Sequence, residues 1–116
     1  MLHFNNRIFI CSTDTNLKGI TVGTKFYYSQ YDGIVNASFI GRDILMGELV
    51  GMVNQQDQLE GIFNFCNYNF EFFSGTFTLT PKKLPNKSYK LHGLWVLSGD
   101  ETIEHDLILE ELLYNV

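Results

Sequence analysis

Between residues 25 and 98 apolar and polar positions alternate in short runs. Turn residues break them at Asp32-Gly33, Asn54-Gln55-Gln56-Asp57 and Asn86-Lys87. A period of two marks strands that bury one face and wet the other. Residues 7–12 read as a first strand and 13–24 as a loop. Residues 25–31 and 34–40 read as a hairpin about Asp32-Gly33. That dipeptide favours a two-residue turn in which both positions take positive φ. The turn sets the register. Phe26, Tyr28, Gln30, Val35, Ala37 and Phe39 then share one side, expected to face inward, and Tyr27, Ser29, Asn36 and Ser38 share the other.

The next connection, Gly41-Arg42-Asp43, allows two registers. A three-residue loop carries Leu45, Gly47, Leu49 and Gly51 inward and leaves Glu48 in water. A two-residue loop buries Glu48 beside Val35, and the cost of an unpaired buried carboxylate favours the first register. Further inward faces follow: Leu59, Gly61, Phe63 and Phe65; Phe73, Gly75, Phe77 and Leu79; Tyr89, Leu91, Gly93, Trp95 and Leu97. Pro81 and Pro85 are expected to bracket a loop. Residues 101–112 fit a helical stripe (Ile103, Leu107, Ile108, Leu112) or a strand face (Ile103, His105, Leu107, Leu109). A strand would pair with residues 7–12 and remove both open edges. The expectation is an all-β chain, one domain over residues 1–116, folded as a single antiparallel up-and-down barrel of about eight strands. By analogy its architecture is calycin-like, comparable to lipocalin-like or avidin-like folds.

Five glycines, Gly47, Gly51, Gly61, Gly75 and Gly93, fall on inward faces, where they supply no packing surface. Large neighbours could fold over the gaps while glycine eases the bending of a small barrel. Alternatively, the gaps leave a cavity for one small molecule. Tyr28, Gln30 and Trp95 bring polar atoms to this interior and need partners there. They satisfy one another or a trapped water, or they bind a ligand, with Tyr28 and Trp95 as the wall and Gln30 orienting it.

Composition narrows the function classes. A 45% hydrophobic and 15% aromatic content supports a real core. The net charge of −5 argues against nucleic acid and against acidic membrane surfaces. Lys82, Lys83, Lys87 and Lys90 read as a solvated loop. No apolar run approaches the roughly 18 residues of a membrane-spanning helix. Cys11 and Cys66 form no CxxC pair, and the amino-terminal residues do not resemble a signal peptide, so a cytoplasmic location is expected. His3 falls in a terminus expected to be mobile. His92 is expected to face outward and His105 inward, without metal-ligand spacing. Cys66 and His92 lie on outer faces with nothing to orient them as a nucleophile and base. No glycine-rich loop precedes a helix, the usual cradle for the pyrophosphate of acetyl-CoA. No catalytic residue, cofactor or metal is therefore expected.

The pattern Tyr28-x-Gln30, Ala37, Gly47-Glu48-Leu49-Val50-Gly51, Gly75, Pro81, Leu91-His92 and Trp95 resembles a group of small bacterial proteins often labelled N-acetylglutamate synthase. The resemblance covers about residues 7–112. It implies the activity on the label, acetyl transfer from acetyl-CoA to glutamate. Phe39 stands where that group has tyrosine, and Gly93 where it has a glutamate before the tryptophan. Three functions thus stand open. They are a non-enzymatic barrel binding a small, partly apolar molecule, an interaction protein or homo-oligomer working through outer residues such as Tyr27, Tyr31, Met46 and Ile62, and the labelled enzyme.

Overall fold

A computed structural model describes residues 2–15, 17 and 19–113. Eight strands follow in chain order: β1 (Ile8–Cys11), β2 (Lys25–Tyr31), β3 (Ile34–Gly41), β4 (Ile44–Val53), β5 (Leu59–Cys66), β6 (Phe72–Lys83), β7 (Tyr89–Leu97) and β8 (His105–Glu111). Each is antiparallel to the next, and β8 returns to β1 through the pairs Phe9–Glu111 and Cys11–Leu109. The sheet is a closed barrel, so the carboxy-terminal segment takes the strand alternative. His105, Leu107 and Leu109 are buried on its inner face, while Ile103 lies before the strand and is exposed. The Arg7 guanidinium seals the seam. It donates to Glu111 Oε2 at 2.8 Å and stacks over the Tyr89 ring, while Glu111 Oε1 accepts from the Tyr89 N–H at 3.0 Å.

The β2–β3 register is the expected one, with Tyr28 opposite Ala37 and Phe26 opposite Phe39. Its turn differs. Asp32 takes φ 57°, but Gly33 stays outside the left-handed region, so the turn is not the doubly positive one. The β3–β4 connection also departs from expectation. Phe39 pairs with Gly47 and Gly41 with Ile44, which leaves one extra residue on β4. This bulge turns Ile44 inward and leaves Leu45 exposed beside Met46, after which Gly47, Leu49 and Gly51 face inward and Glu48 faces water. Pro81 lies within β6 rather than in a loop, and Lys82 and Lys83 are strand residues with it. Beyond Leu79 β6 has no β5 neighbour, so proline occupies an edge-like position there.

The interior is filled. Trp95 sits among Phe26, Phe39, Phe63 and Phe77, with ring centroids 4.8–6.4 Å apart. The glycine gaps are covered by neighbours on adjacent strands or on the same strand. A Cβ at Gly47 would collide with the Phe39 ring. One at Gly93 would lie 2.5 Å from Trp95 Nε1 and 2.6 Å from Leu79 Cδ2. Gly51 and Gly61 pair directly, and a Cβ on either would strike the opposite backbone. Glycine here permits large rings and close, strongly bent strands at once.

Non-strand chain covers both barrel ends. At the end bearing the β3–β4 turn, the 12–24 loop buries Leu17 and Ile20, and Gly19 lies against Phe65 and Ile44. At the end bearing the Asp32-Gly33 turn, residues 2–6 cross the opening and bury Leu2 and Phe4.

Candidate binding site at the end covered by residues 2–6

Tyr28 and Gln30 occupy the last inward positions of β2, and β1 shapes what they meet. β1 pairs with β2 only as far as Tyr27, so the edge of β2 beyond it lacks a strand partner. Asn6 takes φ 62° and bends the chain away from the β1 direction. Residues 2–6 then supply the missing contacts. The Asn6 N–H donates to the Tyr28 carbonyl at 3.1 Å, and the Gln30 N–H donates to Asn5 Oδ1 at 3.1 Å. The Gln30 side chain accepts the Phe4 N–H at Oε1, at 2.9 Å, and donates from Nε2 to the Asp32 carbonyl at 3.1 Å. Gln30 is therefore a half-buried rim residue with both ends of its amide engaged, rather than a core amide.

Below it, Tyr28 is 3% exposed. Its ring lies 5.2 Å from that of Phe4 and edge-on to Phe9 at 5.4 Å. Its hydroxyl is buried with no hydrogen-bond partner. Burial pushes the phenol far above its ordinary pKa, so it remains a neutral donor. Leaving such a group unpaired costs about 1–3 kcal/mol. Trp95 Nε1 is also buried without a partner, but it belongs to the second aromatic layer, with Phe26 and Phe39 toward the opposite end. Tyr28 and Gln30 thus come together, and Trp95 stands apart from both in ring contacts.

Sequence reasoning missed Leu2 and Phe4. Their spacing of two, ahead of the first strand, was the available signal. His3 is not loose: its carbonyl accepts from Arg7 Nε at 2.7 Å and its Nδ1 from the Asn5 N–H at 3.3 Å. Beside Leu2 a hollow of about 270 Å³ opens at the rim, lined by Asp57, Pro81, Lys83 and Tyr89.

Of three larger grooves, one of about 550 Å³ is lined by Asp14, Thr15, Glu104 and Asp106, and two lie over the strands of the outer wall. One, of about 590 Å³, runs over Val50, Met52, Ile62, Thr78 and Leu94. The other, of about 350 Å³, is lined by Tyr27, Ser29, Asn36, Ser38, Glu48 and Asn64. His92 meets Asp106 at 2.9 Å on this outer surface, both exposed, and Cys66 is half-buried there. Among the described residues no group of three or more His, Cys, Asp or Glu side chains could hold a metal ion.

A closed eight-stranded meander with an aromatic interior has its counterpart in a known family. The family model described as Avidin-like protein matches residues 2–112. The chain belongs to this avidin-like family. The match takes in residues 2–6 as well as the eight strands. The calycin-type, avidin-like architecture expected from the sequence therefore holds, whereas the N-acetylglutamate synthase label gains no support. No curated protein matches the chain, and no solved structure does.

Proposed function

We propose that this avidin-like protein binds a small, partly apolar molecule at the barrel end covered by residues 2–6. Tyr28 and Gln30 would orient the ligand, and Trp95 would stand in the layer beneath. The observation that carries this reading is the Tyr28 hydroxyl, buried without a partner on a ring that Phe4 covers at 5.2 Å from chain outside the barrel wall. An orphaned donor is costly in a packed core, and a ligand atom would satisfy it. The rest of the barrel is full, which confines the site to this end. A thermal-shift and calorimetric screen of small metabolites tests it, read also through Trp95, the sole tryptophan. Binders should raise the melting temperature of the native chain and lose affinity in Tyr28→Phe. An unresponsive protein across the screen would remove the reading.

A second reading rests on the outer wall of β4–β6. Met46, Cys66 and Phe72 pair across these strands as an apolar row, followed by a polar row of Glu48, Asn64 and Ser74, then by Val50, Ile62 and Thr76. Phe72 is 80% exposed, Met46 69% and Ile62 56%. The order apolar, polar, apolar is self-complementary. A second copy related by a two-fold axis running along β5 in the plane of contact would set each row on its own counterpart, with Met46 on the partner's Phe72, Glu48 over Ser74 and Ile62 over Ile62. Sedimentation equilibrium tests this reading. A dimer that Ile62→Lys dissociates supports it, and a monomer at high concentration opposes it.

A further inference from the structure

Residues 2–6 contribute to the covered end what a bound molecule would. Phe4 lays a benzyl group on the Tyr28 ring at 5.2 Å and buries it to 1% exposure. Its amide N–H is held by Gln30 Oε1 at 2.9 Å. One aromatic ring and one amide donor, fixed by one tyrosine and one glutamine, are the features of a small ligand in an apolar pocket. The fit is incomplete, because the Tyr28 hydroxyl finds no acceptor in the segment. Nor does the segment belong to the closed sheet. It is held to the barrel by the Phe4 and Asn6 N–H groups, the Asn5 side chain, the His3 carbonyl on Arg7 and two apolar side chains.

From this arrangement we infer that residues 2–6 are an intramolecular occupant of the site, and that its external ligand is a small aromatic secondary amide. The inference rests on the ligand-binding reading above and gives it a chemical class. The ring would replace that of Phe4 on Tyr28, and the amide N–H would take Gln30 Oε1. The amide oxygen or a further oxygen would accept from the Tyr28 hydroxyl, which the segment leaves unpaired. A ligand making that third contact would displace the segment, so ligand binding and release of residues 2–6 are the same event.

N-benzylacetamide and benzyl acetate form the test pair, since they differ in one N–H. Both are titrated by calorimetry into the full chain carrying Phe4→Ala, which vacates the ring position. Binding of the amide about tenfold tighter than the ester is expected, since one buried hydrogen bond is at stake, and Gln30→Ala should abolish the difference. In the native chain, saturating N-benzylacetamide should speed hydrogen exchange at the Phe4 and Asn6 amides and leave those of β4 and β5 unchanged. This second measurement decides alone if Phe4→Ala does not fold. Equal binding of amide and ester, or exchange at Phe4 unaltered by the amide, overturns the inference. A metabolite that stabilises the native chain without freeing Phe4 keeps the ligand-binding reading and overturns only the intramolecular occupant. Failure of every probe and every metabolite removes both.

Discussion

Replacing Gly47 with alanine puts a methyl group where the Phe39 ring already lies. A Cβ there would stand 2.6 Å from Phe39 Cζ and 2.7 Å from Cδ2. Carbon atoms in contact prefer about 3.5–4.0 Å, so the overlap approaches roughly 1 Å. The ring has little room to retreat. It stacks on Phe26 at 4.7 Å and meets Phe65 and Trp95 edge-on at 6.1 and 6.4 Å. Overpacking of this kind costs about 1–3 kcal/mol. Removing glycine from a strand returns about 0.5–1 kcal/mol. The balance is a loss of about 1–2 kcal/mol, or several degrees in melting temperature for a chain of this size. Urea unfolding followed by Trp95 fluorescence measures it, with the slope expected to hold while the midpoint falls. Gly33→Ala is the control, since nothing lies within 4 Å of its Cβ position. In a hollow barrel Gly47→Ala would be neutral or stabilising. Either result would refute the filling of the gap by Phe39.

Other outcomes follow from the same packing. Burial raises both the Tyr28 phenol and the Cys11 thiol. At Cys11 desolvation dominates, a backbone hydrogen bond from Thr13 opposes the rise and Asp14 adds to it. Tyr28 stays neutral in the native barrel while the unfolded chain ionises, and Cys11 gives up its proton later in the native barrel than in the unfolded chain. Stability should therefore hold up to about pH 8.5, then begin to fall as the unfolded thiol ionises, and fall more steeply above about pH 10, where Tyr28 alone contributes about 1.4 kcal/mol per pH unit. Denaturant midpoints from pH 7 to 11 check this, and a flat profile contradicts it. Glu111→Ala strips acceptors from Arg7 and from the Tyr89 N–H at the closing seam. It should cost about 2–4 kcal/mol in urea unfolding, where a cost under 1 would mean the seam is held otherwise. Phe70 holds φ 60° at the turn position where the equivalent β4–β5 and β6–β7 turns place Asp57 and Lys87. Phe70→Gly should relieve that strain and stabilise the chain by about 1 kcal/mol in the same assay; destabilisation would show that its ring packs.

Inside-outside parity was legible because a strand's side chains alternate strictly. Tyr28, Val35, Phe63, Phe77 and Trp95 all project inward as the alternation requires. Closure was legible as an alternative, since β8 carries both a strand face and a helical stripe, and only pairing with β1 decides between them. The β4 bulge was not legible. Leu45 and Ile44 are equally apolar, and the extra residue shows only in the cross-strand pairs. Nor could parity say whether the glycine gaps were filled. That depends on which way the Phe39 and Trp95 rings fold, a choice of rotamer rather than of pattern. Gln30 was correctly placed on the inward side of β2. Its partners, Phe4 and Asn5, come from a segment whose one signal, the spacing of two from Leu2 to Phe4, does not say where it docks, so its place at the rim was not visible. The cover over the opposite end, with Leu17 and Ile20, escaped for the same reason.

The account depends most on Phe4 lying over Tyr28 beneath a segment that closes a filled barrel. Nuclear Overhauser contacts among aromatic protons, recorded together with exchange of the Trp95 indole N–H, test that directly. Contacts from Tyr28 to both Phe4 and Phe9, with a slowly exchanging indole, are the expected result. A Phe4 ring without contact to Tyr28, or an indole N–H exchanging as fast as a free one, would contradict it.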